Sequence, residues 1–320
     1  MGMLSRIKDR MTGSGDGAMN WTIITSAPKG EAGEQWGDTW FARDLATALK
    51  RRGQQARVVS RAGAGSPKRA EEDVVVVLRG LRAVEPPADR TGVWMLWVIS
   101  HPELVTEEEA RAYDAVFVAS ASWQVPGGVP SIPLLQATAP DRFHAAAGTA
   151  DSGAPLLFVG STRGEFRPAV RGALASARAD DLTVYGVGWE EFLSAEKISG
   201  EFVANDDLPA TYASAGIVLN DHHPEMAADG FLSNRLFDAV ATGTRVLSDR
   251  AEGLTDVFGD AVVIYDDEDG LVKLLQAPIE DVFPDANARR AAAERVAREH
   301  SFDARAEVLV TQARALWGSR

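Results

Sequence analysis

Short apolar runs and helical periodicity alternate along this chain. An apolar run at 21–25 leads into a loop holding Gly30, Gly33 and Gly37. A segment at 38–52 follows, with Phe41, Leu45, Ala48 and Leu49 on one face and Gly53 as its stop. The spacing predicts a strand, a loop and a helix. Further strands are predicted at 56–60, 73–78, 93–99 and 115–119. DVVVVL at 73–78 is a β-branched run of the kind buried on both faces of a parallel sheet. A helix at 106–113 takes Thr106 as its N-cap, with Glu107, Glu108 and Glu109 in its first turn. The small, polar stretch 145–154 reads as a linker. Beyond it the alternation resumes, with strands at 155–159, 182–185, 216–220, 245–248 and 261–265 and helices from about 167 and from 233. The charge run Asp266 to Asp269 reads as a solvated loop. Two helices are expected over 287–317, broken near His300, with Ser301 capping the second.

Two successive runs of strand and helix predict an α/β chain of two doubly wound, Rossmann-like units with a cleft between them. The expected division is a flexible segment over 1–19, a first unit over 20–147 and a second over 154–299. A terminal helix over 300–320 is expected to pack back toward the first unit. A chain of 320 residues has room for two cores. Ligands in such sheets sit at the carboxyl ends of the strands.

Composition narrows the chemistry. The absence of Cys excludes disulfides, thiolate nucleophiles and Cys-ligated metals, and makes a reducing cytoplasm the natural compartment. The first 150 residues carry 17 Lys+Arg against 17 Asp+Glu and the remainder 16 against 29, so the formal charge of −13 sits in the second part. No basic stripe exists for a nucleic-acid backbone, and none is expected as a partner. The apolar run at 93–99 is far too short to span a bilayer. No signal peptide is read in the first twenty residues; a short helix at 3–11 could at most touch a membrane surface. A nicotinamide dehydrogenase is excluded because Gly186-Val187-Gly188-Trp189-Glu190-Glu191 lacks the third glycine of the fingerprint. A periplasmic binding protein needs an export signal, and none is visible.

The segment 216–249, GIVLNDHHPEMAADGFLSNRLFDAVATGTRVLSD, concentrates the chemistry. A strand ends at Asn220, a polar loop carries Asp221, His222, His223 and Glu225, and a helix opens at Ser233 and Asn234. A helix N-terminus offers free N–H groups and a favourable dipole to a phosphate. Asp238, one turn in, can accept hydrogen bonds from two vicinal hydroxyls, or can simply favour the helix dipole. Asp38 could deprotonate an acceptor hydroxyl or cap its helix. His101, just past the 93–99 strand, could act as base, hydrogen-bond a sugar or be structural. Glu103 could meet an acceptor or open the next helix. Trp36, Trp40 and Trp123 could stack on a sugar.

The same segment closely resembles the donor-binding region of GT-B glycosyltransferases, nearest to the family 4-like group related to CgeB proteins and to O-antigen or capsule glycosyltransferases. LLFVGSTRGEFRP, LTVYGVGWE and NDDLPATYASAGIVLND resemble the preceding parts of that group's C-terminal domain. SHPE, WGDTWFARDLATALKRRG and HSFDAR add to the likeness, which covers roughly residues 20–317.

The resemblance implies a GT-B fold and transfer of a sugar from a nucleotide-diphosphate donor, without a metal or other cofactor, to a glycan or lipid-linked glycan in polysaccharide biosynthesis. It implies that Asp238 holds the ribose and that Arg163, with Gly160 and Ser161, faces the diphosphate. Ser233, Asn234 and Arg235 would complete the cradle. Tyr185 and Gly186, with 203–208, would flank the base. Asn220, His222, Asp229, Gly230 and Phe231 fall within the donor-binding stretch, with His222 expected on the sugar. The widespread motif has a second Glu eight residues before the first; here that position is Gly230, with Asp229 beside it. Asp38 and His101 are the candidate catalytic groups, and Trp36 and Glu103 the candidate acceptor contacts. Two other readings remain open: a sugar-nucleotide epimerase or hydrolase, and a non-catalytic nucleotide- or glycan-binding protein of the same fold.

Overall fold

The computed structural model describes residues 17–145 and 156–319. The expected linker, apart from Ala145, and the expected helix at 3–11 lie outside the described residues. The first six strands are β1 (Asn20–Ile24), β2 (Gln55–Val59), β3 (Val74–Arg79), β4 (Val93–Val98), β5 (Ala115–Val118) and β6 (Ile132–Pro133). The second six are β7 (Leu156–Val159), β8 (Leu182–Tyr185), β9 (Ile198–Gly200), β10 (Ile217–Asn220), β11 (Arg245–Asp249) and β12 (Val262–Tyr265). They form two parallel sheets, in the orders β2-β1-β3-β4-β5-β6 and β12-β11-β10-β7-β8-β9. Every residue of β3 and β4 is buried, as their unbroken apolar sequence requires.

The helices that position the cleft are α1 (Gly37–Arg51), α2 (Glu107–Arg111), α3 (Pro168–Ala175), α4 (Asn234–Ala241), α5 (Ala286–Glu299) and α6 (Phe302–Gly318). α1 buries Phe41, Ala42, Leu45, Ala48 and Leu49 along one stripe. Thr106 and Ser301 cap α2 and α6, accepting from the Glu109 and Ala304 N–H groups. Two expectations shift. Asp38 lies in the first turn of α1 and does not cap it; the N-cap position is Trp36. The run Asp266 to Asp269 opens a helix, Glu268–Gln276, whose cap is Asp267 accepting from the Gly270 N–H.

α6 lies against α1, and Phe302 meets Phe41 edge-on at 4.7 Å. The chain crosses at Thr138, which accepts from the Phe302 N–H at 3.0 Å and donates its own N–H to the His300 carbonyl at 2.9 Å. Arg305 fastens the crossing by donating to the Leu135 and Gln136 carbonyls. His300 Nδ1 takes up a third Arg305 hydrogen bond. Burial and that guanidinium hold the His300 ring down at about 4. One continuous apolar core joins Phe41 and Trp97 of the first sheet layer to Leu236, Phe237 and Val240 of α4.

Candidate active site

Strand order reverses direction at two places. In the second sheet the switch lies between β7 and β10; in the first it lies beside β1 and β3. Crevices open at the carboxyl ends of such switch points. A single cavity of about 350 Å³ occupies that position between the two sheets, lined from both sides. Such a volume suits a small-molecule ligand.

The first sheet contributes Asp38, Ser100 and His101. Gly80 permits their approach: Ser26 Oγ, Asp38 Oδ2 and Ser100 Oγ all lie within 3.5 Å of where its Cβ would stand. Burial pushes the Asp38 carboxyl up, while His101 and Arg163 pull it the other way. His101 Nδ1 lies 3.0 Å from Glu103 Oε1.

The second sheet contributes three arginines. Arg167 pairs with the buried Asp221 and donates to the Ser161 carbonyl, fixing the loop after β7. Asp221 also accepts from the Ala169 N–H at the start of α3. Arg235 lies over the Phe158 ring at 4.8 Å and donates to Asn220 Oδ1 at 2.9 Å. Arg163 is different. It makes no hydrogen bond or ion pair to any described residue, and partial loss of hydration at the cavity wall brings its guanidinium down to about 10, aided by Arg167 and Arg235. Three cations share this wall with one paired carboxylate, inside the more acidic part of the chain.

Strain marks the same place. Among the described residues, His101 (φ 54°) and Arg163 (φ 57°) are the non-glycine residues with left-handed backbone, and both line the cavity. Such conformations cost on the order of 1 kcal/mol or more and cluster at functional sites.

The far end of the cavity is closed by Asp238, Asp44, Arg142 and Asn205. Burial pushes the Asp238 carboxyl up to about 8, with the Thr138 hydroxyl opposing and Asp44 adding to the rise. Asn234 Nδ2 donates to it at 2.8 Å. Asp44 rises to about 6 by burial, against the pull of its partner Arg142. Arg142 reaches over the cleft to the Asn205 carbonyl at 2.8 Å and lies over the Trp40 ring at 5.7 Å.

Of the residues expected from sequence, Asp38, His101, Gly160, Ser161, Arg163, His222, Ser233, Asn234, Arg235 and Asp238 line this cavity. From the expected stretch 203–208, Asn205 and Leu208 line it too; the other expected residues lie off it, each for a local reason. Trp36 stands at the N-terminus of α1 with Arg61 over its ring; Trp40, one turn on, is the tryptophan in the cleft. Glu103 is exposed on a turn and reaches the site only through His101. Tyr185 and Gly186 hold the β7 and β8 loops together: the Gly160 N–H donates to the Tyr185 carbonyl, and a Cβ on Gly186 would strike the Gly160 carbonyl. Asn220 is fully buried and occupied with Arg235 and Ser248.

The donor loop departs most from expectation. Ser120 donates to the Asp229 carbonyl at 2.6 Å. Gly230, at φ 70°, would place a Cβ 3.0 Å from Ser122 Oγ. Phe231 is fully buried and meets Trp123 edge-on at 5.6 Å, inside the core of the first sheet. Residues 229–231 thus plug the second half into the first and do not face the ligand space. The His222 ring is 1% exposed and saturated by Asp249 and Ser233, so it holds the wall rather than a sugar. Sequence reading missed Arg167 as a cavity group, and also Asp44, Arg142 and Tyr212. Their roles arise from pairings across the fold, and nothing in their local sequence signals them. Among the described residues no group of three or more His, Asp or Glu is placed to hold a metal ion, and no helix is long and apolar enough to cross a membrane.

Residues 166–311 match the family model described as glycosyl transferase-like. Curated proteins give no sequence match. Solved structures show the fold. A glycosyltransferase involved in avilamycin A biosynthesis superposes with a TM-score of 0.65 at 18% identity, covering 94% of this chain and 99% of that one. Sucrose-phosphate synthase from Thermosynechococcus elongatus gives 0.63 at 14%, covering 94% and 100%. HepE from Anabaena, in complex with UDP-glucose, gives 0.60 at 13%, covering 94% and 99%. The two six-stranded parallel sheets are the GT-B architecture.

Proposed function

We propose that this chain is a glycosyltransferase of the family 4-like, CgeB-related kind, moving a sugar from a nucleotide-diphosphate donor to a hydroxyl of a glycan or lipid-linked glycan acceptor in the cytoplasm. The observation that carries the reading is Arg163. It is an arginine with strained backbone on the cavity wall, with no hydrogen-bond or ion-pair partner among the described residues, facing Asp38 and His101. An unpartnered guanidinium set beside two further arginines on one cavity wall leaves a local excess of positive charge that an anion completes. The diphosphate of a nucleotide sugar supplies that anion, and Arg235 and the N-terminus of α4 extend the same positive wall.

In the proposed reaction Asp38 takes the proton of an acceptor hydroxyl. The freed oxygen forms a bond to the anomeric carbon, the bond from that carbon to the phosphate oxygen breaks, and its electron pair leaves with the diphosphate. The arginines stabilise the charge that grows on the leaving group, so the positive charge comes from side chains. The raised proton affinity of Asp38 suits a general base. Asp238, opposite Arg142 and Asn205, is assigned to the ribose.

The test is Asp38→Asn. It removes a half-buried carboxylate whose charge the cleft disfavours, so stability is unchanged or higher. Nucleotide affinity stays within a fewfold, while transfer falls about 100- to 10,000-fold. Equal turnover in the variant contradicts the base assignment. Release of free sugar or an epimerised donor without acceptor would favour the hydrolase or epimerase reading.

A further inference from the structure

The cavity wall contains a chain of hydrogen bonds whose members touch no ligand space at their centre. Arg235 donates to Asn220 Oδ1 at 2.9 Å, and Asn220 Nδ2 donates to Ser248 Oγ at 2.9 Å. Ser248 Oγ donates to Asp249 Oδ1 at 3.1 Å, and His222 Nδ1 meets the same oxygen at 2.6 Å. The Ser233 N–H closes the chain on His222 Nε2 at 3.0 Å. Asn220, Ser248 and the His222 ring are all buried.

The proton positions follow from the partners. A main-chain N–H can only donate, so Nε2 is an acceptor and carries no proton. The ring proton therefore sits on Nδ1 and is donated to Asp249. The second Asp249 oxygen accepts the His222 main-chain N–H at 2.8 Å. Ring and backbone are gripped together, which leaves Nε2 aimed in one direction only. Its target, Ser233, is the N-cap of α4, and the Ser233 hydroxyl makes no cap hydrogen bond. The helix start is held from outside, by the imidazole, instead of by its own cap.

We infer that His222, oriented by Asp249, is a positioning residue that fixes the start of α4 and ties it to Arg235 in one rigid frame presented to the donor diphosphate. This rests on the glycosyltransferase reading. A preformed frame spares the site the reorganisation that binding an anion otherwise demands. It also means that the Ser233 N–H is already engaged and leaves the anion to the next groups of the turn and to the arginines.

Two substitutions split the two ends of the ring. In His222→Gln the side-chain carbonyl stands near the position of Nε2 and keeps the acceptor for Ser233. In His222→Asn the side chain stands near Nδ1 and keeps the Asp249 contact alone. Each is titrated calorimetrically with UDP, GDP, CDP, ADP and dTDP, and each is followed by amide hydrogen exchange over 233–236. The inference expects His222→Asn to weaken binding up to roughly tenfold, the scale of one lost hydrogen bond, and to speed exchange at 233–236. His222→Gln restores most of both, while the two variants lose similar thermal stability. Equal effects of the two variants on affinity and exchange, or the reverse order, overturn it. If the native chain binds no nucleoside diphosphate, the donor reading falls. The exchange pattern then still decides whether His222 holds α4.

Discussion

Asp238 and Arg163 depart from ordinary ionisation in opposite senses and for the same reason. Loss of hydration favours the neutral form in both: the carboxyl of the buried Asp238 rises to about 8, and the Arg163 guanidinium on the cavity wall, beside Arg167 and Arg235, falls to about 10. For Asp238 the consequence for stability has a definite sign. The folded chain keeps a proton that the unfolded chain releases near pH 4. This contribution is complete below pH 4 and is lost as the pH rises through 8, a fall on the order of a few kcal/mol. Urea unfolding between pH 5 and 8 should show that decline in the native chain and a flatter profile in Asp238→Asn. Parallel profiles would remove Asp238 as its source. The positions of Asp38, His101 and Arg163 were legible in sequence because each follows a strand end or opens a helix, and that of Asp238 because it lies one turn into a helix after such a strand end. The role of His222 was not. The residues flanking it mark it as polar loop, and only folding brings Asp249 and Ser233 to its two nitrogens.

Among the elements, the inner strands were legible because each is a continuous apolar run. β6 and β9 were not, since edge strands of two and three residues carry no pattern of their own. The segment 229–231 shows a subtler limit. Its sequence invites alignment with a sugar-binding acid, yet its glycine is required by a positive φ and by the two serines packed against it. Its phenylalanine fills the opposite core. Phe231→Ala should therefore cost about 3–5 kcal/mol of stability, read by chemical denaturation, with the affinity of the folded protein for nucleotide altered little. A stable variant that had lost nucleotide binding would place Phe231 in the site instead.

At the scale of the molecule, the two sheets are joined around one cavity, among other places at the Phe231 plug, the Thr138 crossing and the Arg142 reach to Asn205. The cavity between them is therefore walled by both halves, and its positive side was not visible in a composition that puts all the net negative charge in the second half. Charge counts average over surfaces, whereas Arg163, Arg167 and Arg235 converge only when β7 and β10 lie side by side. The central claim is that this convergence exists for a nucleotide diphosphate. The most direct measurement is the thermal shift of the native chain and of Arg163→Gly with UDP, GDP, CDP, ADP and dTDP. Glycine relieves the left-handed backbone, so the variant should melt no lower than the native chain. One nucleotide should stabilise the native chain by about 2.7 kcal/mol at a hundredfold excess over its Kd, and Arg163→Gly should abolish that gain. A native chain indifferent to every nucleotide, or a variant that responds as the native chain does, would contradict the account.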